Sequence, residues 1–161
     1  MLLISACLCG LECKYDGSSN PHQVFAEMLR AGRVIPICPE QLGGLATPRE
    51  PAEISGGAGK EVLRGQARVL NKSGEDVSAA FVRGAEQTLK IAQAVNPSLI
   101  ILKSRSPSCG VGSVYDGSFS AKLQTGDGVT AALLKKHGFA AIDDEAYLQR
   151  ESNQNELKET L

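Results

Sequence analysis

Three short, unbroken apolar runs constrain this chain most: Leu2–Ala6, Val34–Ile37 and Leu99–Leu102. None alternates with polar residues, so each predicts a strand buried on both faces, the pattern of a parallel sheet. Phe139–Ile142 predicts a last short strand, and Val62–Leu70 a strand or hairpin arm broken at Gly65. Between them lie helical patterns. Pro21–Ala31 carries Val24, Phe25, Met28 and Leu29 at helical spacing and stops at Gly32, while Asp76–Val95 aligns Val77, Phe81, Ala85 and Leu89 and stops at Asn96-Pro97. Gly128–Lys136 reads as a third helix, and the acidic stretch from Asp143 as one more. Strands alternating with helices predict a three-layer α/β fold: a mostly parallel sheet with helices on both faces, Rossmann- or flavodoxin-like. At 161 residues this is expected to be one domain over residues 1–150, followed by a polar tail, 151–161, expected to fray.

In such a sheet the strand C-termini share one edge, and ligands bind there. Each of the three runs delivers a cysteine to that edge: Cys7 in SACLCG, Cys38 in IPICPEQLGG and Cys109 in KSRSPSCG. Three thiols far apart in sequence are thereby expected to converge in one crevice. Five cysteines, an odd number, do not read as a disulfide framework, and no signal-peptide pattern opens the chain. The expectation is a cytoplasmic protein whose cysteines bind metal or catalyse. No apolar run approaches membrane length. A net charge of −1 argues against a broad nucleic-acid footprint.

The Cys7, Cys9 and Cys13 spacings match no common zinc pattern, and neither His22 nor His137 is placed to complete a tetrahedral site. Three thiolates plus an open position suit an iron–sulfur cluster with one iron free, with zinc left as the alternative. Glu40 stands two residues after Cys38, where a carboxylate can handle protons. Ser104, Ser106 and Ser108 bring hydroxyls to the same edge, and Arg49, Lys103 and Arg105 bring positive charge for an anionic ligand. The ordinary role of each is a solvated surface group. Two Y-D-G-S stretches, Tyr15–Ser18 and Tyr115–Ser118, each follow a cysteine segment. Asp-Gly alone makes a turn, but the recurrence points to a part in shaping the pocket.

Taken together, SACLCG, YDG, CPEQLGGLATPREPAE, GEDVSAAFVRGAE, ILKSRSPSCG, YDGSFS and GDGVTAALLKKHGF resemble the bacterial thiouracil desulfidases, a family long called a domain of unknown function. The resemblance runs over nearly the whole chain. It implies a 4Fe-4S cluster bound by only three cysteines, here Cys7, Cys38 and Cys109, with one open iron. It implies catalytic roles for Glu40 and Ser104, and leaves Cys9 and Cys13 outside the ligand set. The implied activity is hydrolytic, non-redox removal of sulfur from a thiolated pyrimidine, or its nucleoside, giving the oxo product and hydrosulfide. Arg49, Lys103, Arg105, Ser106 and Ser108 are then expected to bind substrate, in a monomer or homodimer. A non-catalytic metal- or sulfide-binding module and a cysteine-nucleophile hydrolase are the alternatives.

Overall fold

The computed structural model describes residues 1–159, and their side chains to residue 153. Strands β1 (Leu2–Ser5), β2 (Val34–Ile37), β3 (Ala52–Ser55), β4 (Arg68–Asn71), β5 (Ile100–Leu102), β6 (Ser113–Tyr115), β7 (Leu123–Thr125) and β8 (Ala141–Asp143) form three sheets. The helices are α1 (Gln23–Arg30), α2 (Pro39–Leu42), α3 (Gly59–Leu63), α4 (Ser78–Val95), α5 (Val129–Lys136) and α6 (Asp144–Glu159). The central sheet runs in the order β2-β1-β5-β8, every neighbouring pair parallel. Pro36 is accommodated because β2 is an edge strand, where its missing N–H costs no ladder bond.

Side chains alternate across the pleat, so each strand feeds two cores. Leu3, Ile37, Ile100 and Leu102 pack with Ala92 of α4 and with Ala131 and Leu134 of α5. Ile4, Val34, Ile101 and Ile142 pack on the other face with Phe25 and Met28 of α1 and with Ala146 and Tyr147 of α6. The fold is the three-layer α/β arrangement expected from the continuous apolar runs. Helix α6 starts where the Asp143 carboxylate accepts the Ala146 N–H at 2.8 Å. Its backbone continues to Glu159, across most of the polar segment expected to fray, and residues 160–161 lie outside the described residues.

Two excursions leave the sheet. The first contains the antiparallel pair β3–β4 with α3 between them; the second is the hairpin β6–β7. Val62–Leu70 is therefore not one strand. Its first part is helix α3, begun by the Glu61 carboxylate accepting the Ala58 N–H, and Gly65 at φ +72° turns the chain into β4. Ile54, Val69, Phe81, Ala85 and Val114 give these excursions a core of their own against α4.

Helix α2, which follows Cys38, lies almost backbone-to-backbone on α4. A Cβ on Gly84 would come within 1.9 Å of the Pro39 carbonyl oxygen, and one on Gly43 within 2.1 Å of the Ala80 carbonyl oxygen. Gly84→Ala must therefore push α2 off α4. The expected cost is about 1–3 kcal/mol or more, as for overpacked cores, read as a melting temperature lowered by about 2–4 °C per kcal/mol. An unchanged melting temperature would contradict this packing.

Candidate active site

The three cysteine segments do meet. Strand β1 ends at Ser5 and enters a 3-10 turn (Ala6–Cys9) that carries Cys7. Strand β2 ends at Ile37, and Cys38 precedes Pro39 in extended conformation (φ −124°, ψ 102°), the geometry a following proline favours. Pro39 opens α2 at a position where it sacrifices no helical bond. After β5 the loop 103–112 folds back on itself: Ser106 Oγ accepts the N–H groups of Ser108 and Cys109, and its carbonyl accepts the Gly110 N–H at 2.8 Å. Cys7, Cys38 and Cys109 line one cavity of about 570 Å³, as do all seven other residues expected at the site: Glu40, Arg49, Lys103, Ser104, Arg105, Ser106 and Ser108.

Glu40 is a held carboxylate rather than a solvated one. Arg49 Nε and Nη2 bind its Oε2 at 2.7 and 2.6 Å, and Ser108 Oγ donates to Oε1 at 2.9 Å. Arg49 Nη2 also reaches the Cys13 carbonyl at 3.0 Å, and Nη1 the Ala46 carbonyl and Thr47 Oγ1 at 3.1 Å. Every guanidinium nitrogen has a protein partner. Arg49 thus organises the wall, a different task from the free anion-binding charge expected of it.

Around Ser104 the charges are likewise paired. Lys103 Nζ donates to Ser104 Oγ at 2.6 Å and lies 3.1 Å from Asp144 Oδ2, while Asp144 Oδ1 accepts the Ser104 N–H at 2.7 Å. Arg105, whose φ is +62°, pairs with Glu145. Asp144 went unmentioned in the sequence reading, yet it stands just past β8. The strand-end argument that located the cysteines points to it as well.

Ser5 was also missed. Its buried hydroxyl oxygen accepts the Lys103 N–H at 3.0 Å, which directs its own proton to Cys109 Sγ at 3.3 Å. Burial pushes the Cys109 thiol up to about 12, with the Ser5 donor opposing the shift. A hydrogen bond to Cys13, in which Cys38 is the donor, followed by burial, pushes the Cys38 thiol up as well. Cys13 itself joins the cavity wall, its thiol against those of Cys38 and Cys7, whereas Cys9 is buried in the α1 core. His22 caps α1 and His137 ends α5, and neither lines the cavity. Among the described residues no three Cys, His, Asp or Glu side chains gather at single-ion spacing, and no helix is long and apolar enough to cross a membrane.

The Arg49–Glu40 pair is largely buried, with side-chain exposures of 10% and 15%. Arg49→Ala leaves that carboxylate and the Cys13 carbonyl short of partners, so stability should fall by about 3 kcal/mol. Arg49→Lys restores the charge without the fork and should recover only part of it. Urea unfolding of the three proteins checks this; equal midpoints would remove Arg49 from its organising role.

The family model for 2-thiouracil desulfurase matches residues 2–146. The uncharacterised protein YbbK of Bacillus subtilis (strain 168) is 49% identical over 144 residues, covering 89% of this chain and 95% of that protein. The solved structure of a 4Fe-4S-dependent thiouracil desulfidase, TudS, superposes with a TM-score of 0.80 at 36% identity, covering 96% of this chain and 97% of its own. With all but the C-terminal end of the chain matched, this protein belongs to the 2-thiouracil desulfurase family.

Proposed function

We propose that this protein is an iron–sulfur-dependent desulfidase that removes sulfur from a thiolated pyrimidine base or nucleoside by hydrolysis, its site carried by a single unit of residues 1–150. One observation supports the reading above the rest: three thiols from three strand ends reach one cavity, with a fixed carboxylate and a hydroxyl on the same wall. The donor set fits the cofactor. Three soft sulfur ligands, one already receiving a hydrogen bond from buried Ser5, are the chemistry an iron–sulfur cluster requires.

Cys7, Cys38 and Cys109 would hold a 4Fe-4S cluster with one iron free of protein ligands, which supplies a soft Lewis-acidic position for sulfur. The remaining chemistry belongs to the chain. A carboxylate accepts about four hydrogen bonds; Glu40 accepts one on Oε2 from Arg49 Nε, where Arg49 Nη2 also forms an ion pair, and one on Oε1 from Ser108 Oγ. The remaining lone pair on Oε1 takes the proton of a water facing the substrate carbon. Lys103 donates to the Ser104 oxygen, which leaves the Ser104 proton for a neighbouring acceptor, Glu145 or a bound substrate. Asp144 fixes both groups from one carboxylate. Overall, water replaces the C=S sulfur by oxygen and hydrosulfide leaves, with no net electron transfer.

A binding module has no need of the Glu40 arrangement, and a thiol nucleophile needs a base that the cavity wall does not offer as histidine. After anaerobic reconstitution the protein should contain about four iron and four sulfide per chain. Alanine at Cys7, Cys38 or Cys109 should abolish retention. Glu40→Gln should keep the cluster while kcat on 2-thiouracil falls by about 100-fold or more. Full activity in that variant would eliminate the proposed base, and an intact cluster in all three cysteine variants would eliminate the ligand set.

A further inference from the structure

The two Y-D-G-S stretches, 100 positions apart, fold alike. In each the aspartate Oδ1 accepts the serine N–H two residues on at 3.0 Å and also its hydroxyl, and Gly17 and Gly117 stand at φ +77° and +88°. These are Asx turns, complete in Asp, Gly and Ser. The tyrosine that opens each is not needed to make the turn.

Both turns are fastened to the same strap, residues 49–53. The Arg49 N–H donates to the Tyr15 carbonyl at 2.7 Å. At the other end Glu53, only 9% exposed, accepts the N–H groups of Gly117 and Phe119, each at 3.0 Å. Gly117 allows this approach, since a Cβ there would meet the Ile54 carbonyl oxygen at 2.7 Å. Arg49 and Glu53 themselves line the cavity, so the strap sets both turns against it.

The consequence is that Tyr15 and Tyr115 both border the cavity, and among the described residues they are the only aromatic side chains that line it. That is a selective placement in a chain with three Tyr, four Phe and no Trp. Among the described residues neither phenol hydroxyl has a hydrogen-bond partner, and Tyr15 is 43% exposed with the Lys14 ammonium 5.9 Å from its ring centre. Aromatic rings and free hydroxyls lining a cavity that thiols also line suit a flat ring bearing N–H and C=O groups.

We propose that Tyr15 and Tyr115 are the ring-binding residues of the site, and that they select planar heteroaromatic thiocarbonyl compounds over acyclic ones. The inference rests on the desulfidase reading and deepens it by naming what recognises the substrate's ring. On this reading the cysteines serve the sulfur and the two tyrosines the ring.

The test measures binding in the reconstituted Glu40→Gln protein, by anaerobic equilibrium dialysis with 2-thiouracil and with thiourea as the acyclic probe. Iron and sulfide are counted in every sample. Tyr15→Ala and Tyr115→Ala should each weaken 2-thiouracil binding by about 10-fold with unchanged iron content, the scale of a lost aromatic stacking partner. Phenylalanine at either position should recover most of that loss, and thiourea binding should not respond to any of the four changes. Cluster-loaded alanine variants that bind 2-thiouracil as tightly as their parent would overturn the ring-binding role while leaving the desulfidase reading intact. A loaded parent that binds no 2-thiouracil would overturn both, and that result is visible before any tyrosine is changed.

Discussion

The cavity wall depends on one guanidinium. Arg49 comes from the connection between α2 and β3, and its fork joins pieces of chain that no sheet hydrogen bond connects: Glu40 on α2, the Cys13 carbonyl, and the turn at Ala46–Thr47. Its own N–H adds the Tyr15 carbonyl. Through Glu40 the network continues to Ser108, and through Ser108 to Cys109. Arginine alone offers five donors in a rigid plane. A lysine supplies the charge but cannot span these partners. The fork also fixes which oxygen of Glu40 is engaged twice, leaving the other to Ser108.

The central sheet was legible because it is buried on both faces. Leu3, Ile4, Ile100 and Ile101 are wholly inside, and residues under that constraint are written as unbroken apolar runs. The three cysteines followed from topology alone, since parallel strands deliver their loops to one edge. The excursions were not legible in the same way. β6 and β7 are three-residue strands in a stretch of Gly, Ser and Asp, and local composition there reads as loop. Val62 and Leu63 run on toward Val69 and Leu70 in the manner of a strand, whereas a glutamate accepting an N–H three residues back decides for helix. Partnership was the hardest to read. That Arg49 is spent on Glu40, and Lys103 on Asp144 forty-one positions away, is tertiary information with no local signature.

The two parts of the cavity are therefore built under different rules. The thiol end hangs from the sheet, whose register is set by the cores on either side, and Ser5 locks β1 to the exit of β5 while donating to Cys109. A shift of one residue there would turn every buried side chain to the wrong face. The tyrosines are carried by two small turns on one strap, fixed by hydrogen bonds to backbone atoms that other turn sequences also present. Changes at the Tyr15 or Tyr115 side chain would reshape what the cavity admits while leaving the strand ends that carry Cys7, Cys38 and Cys109 as they are. A site arranged this way keeps one reaction at its sheet edge while its substrate preference is free to vary at the rim. On the ring-binding proposal, the paired Y-D-G-S turns are where this chain sets that preference.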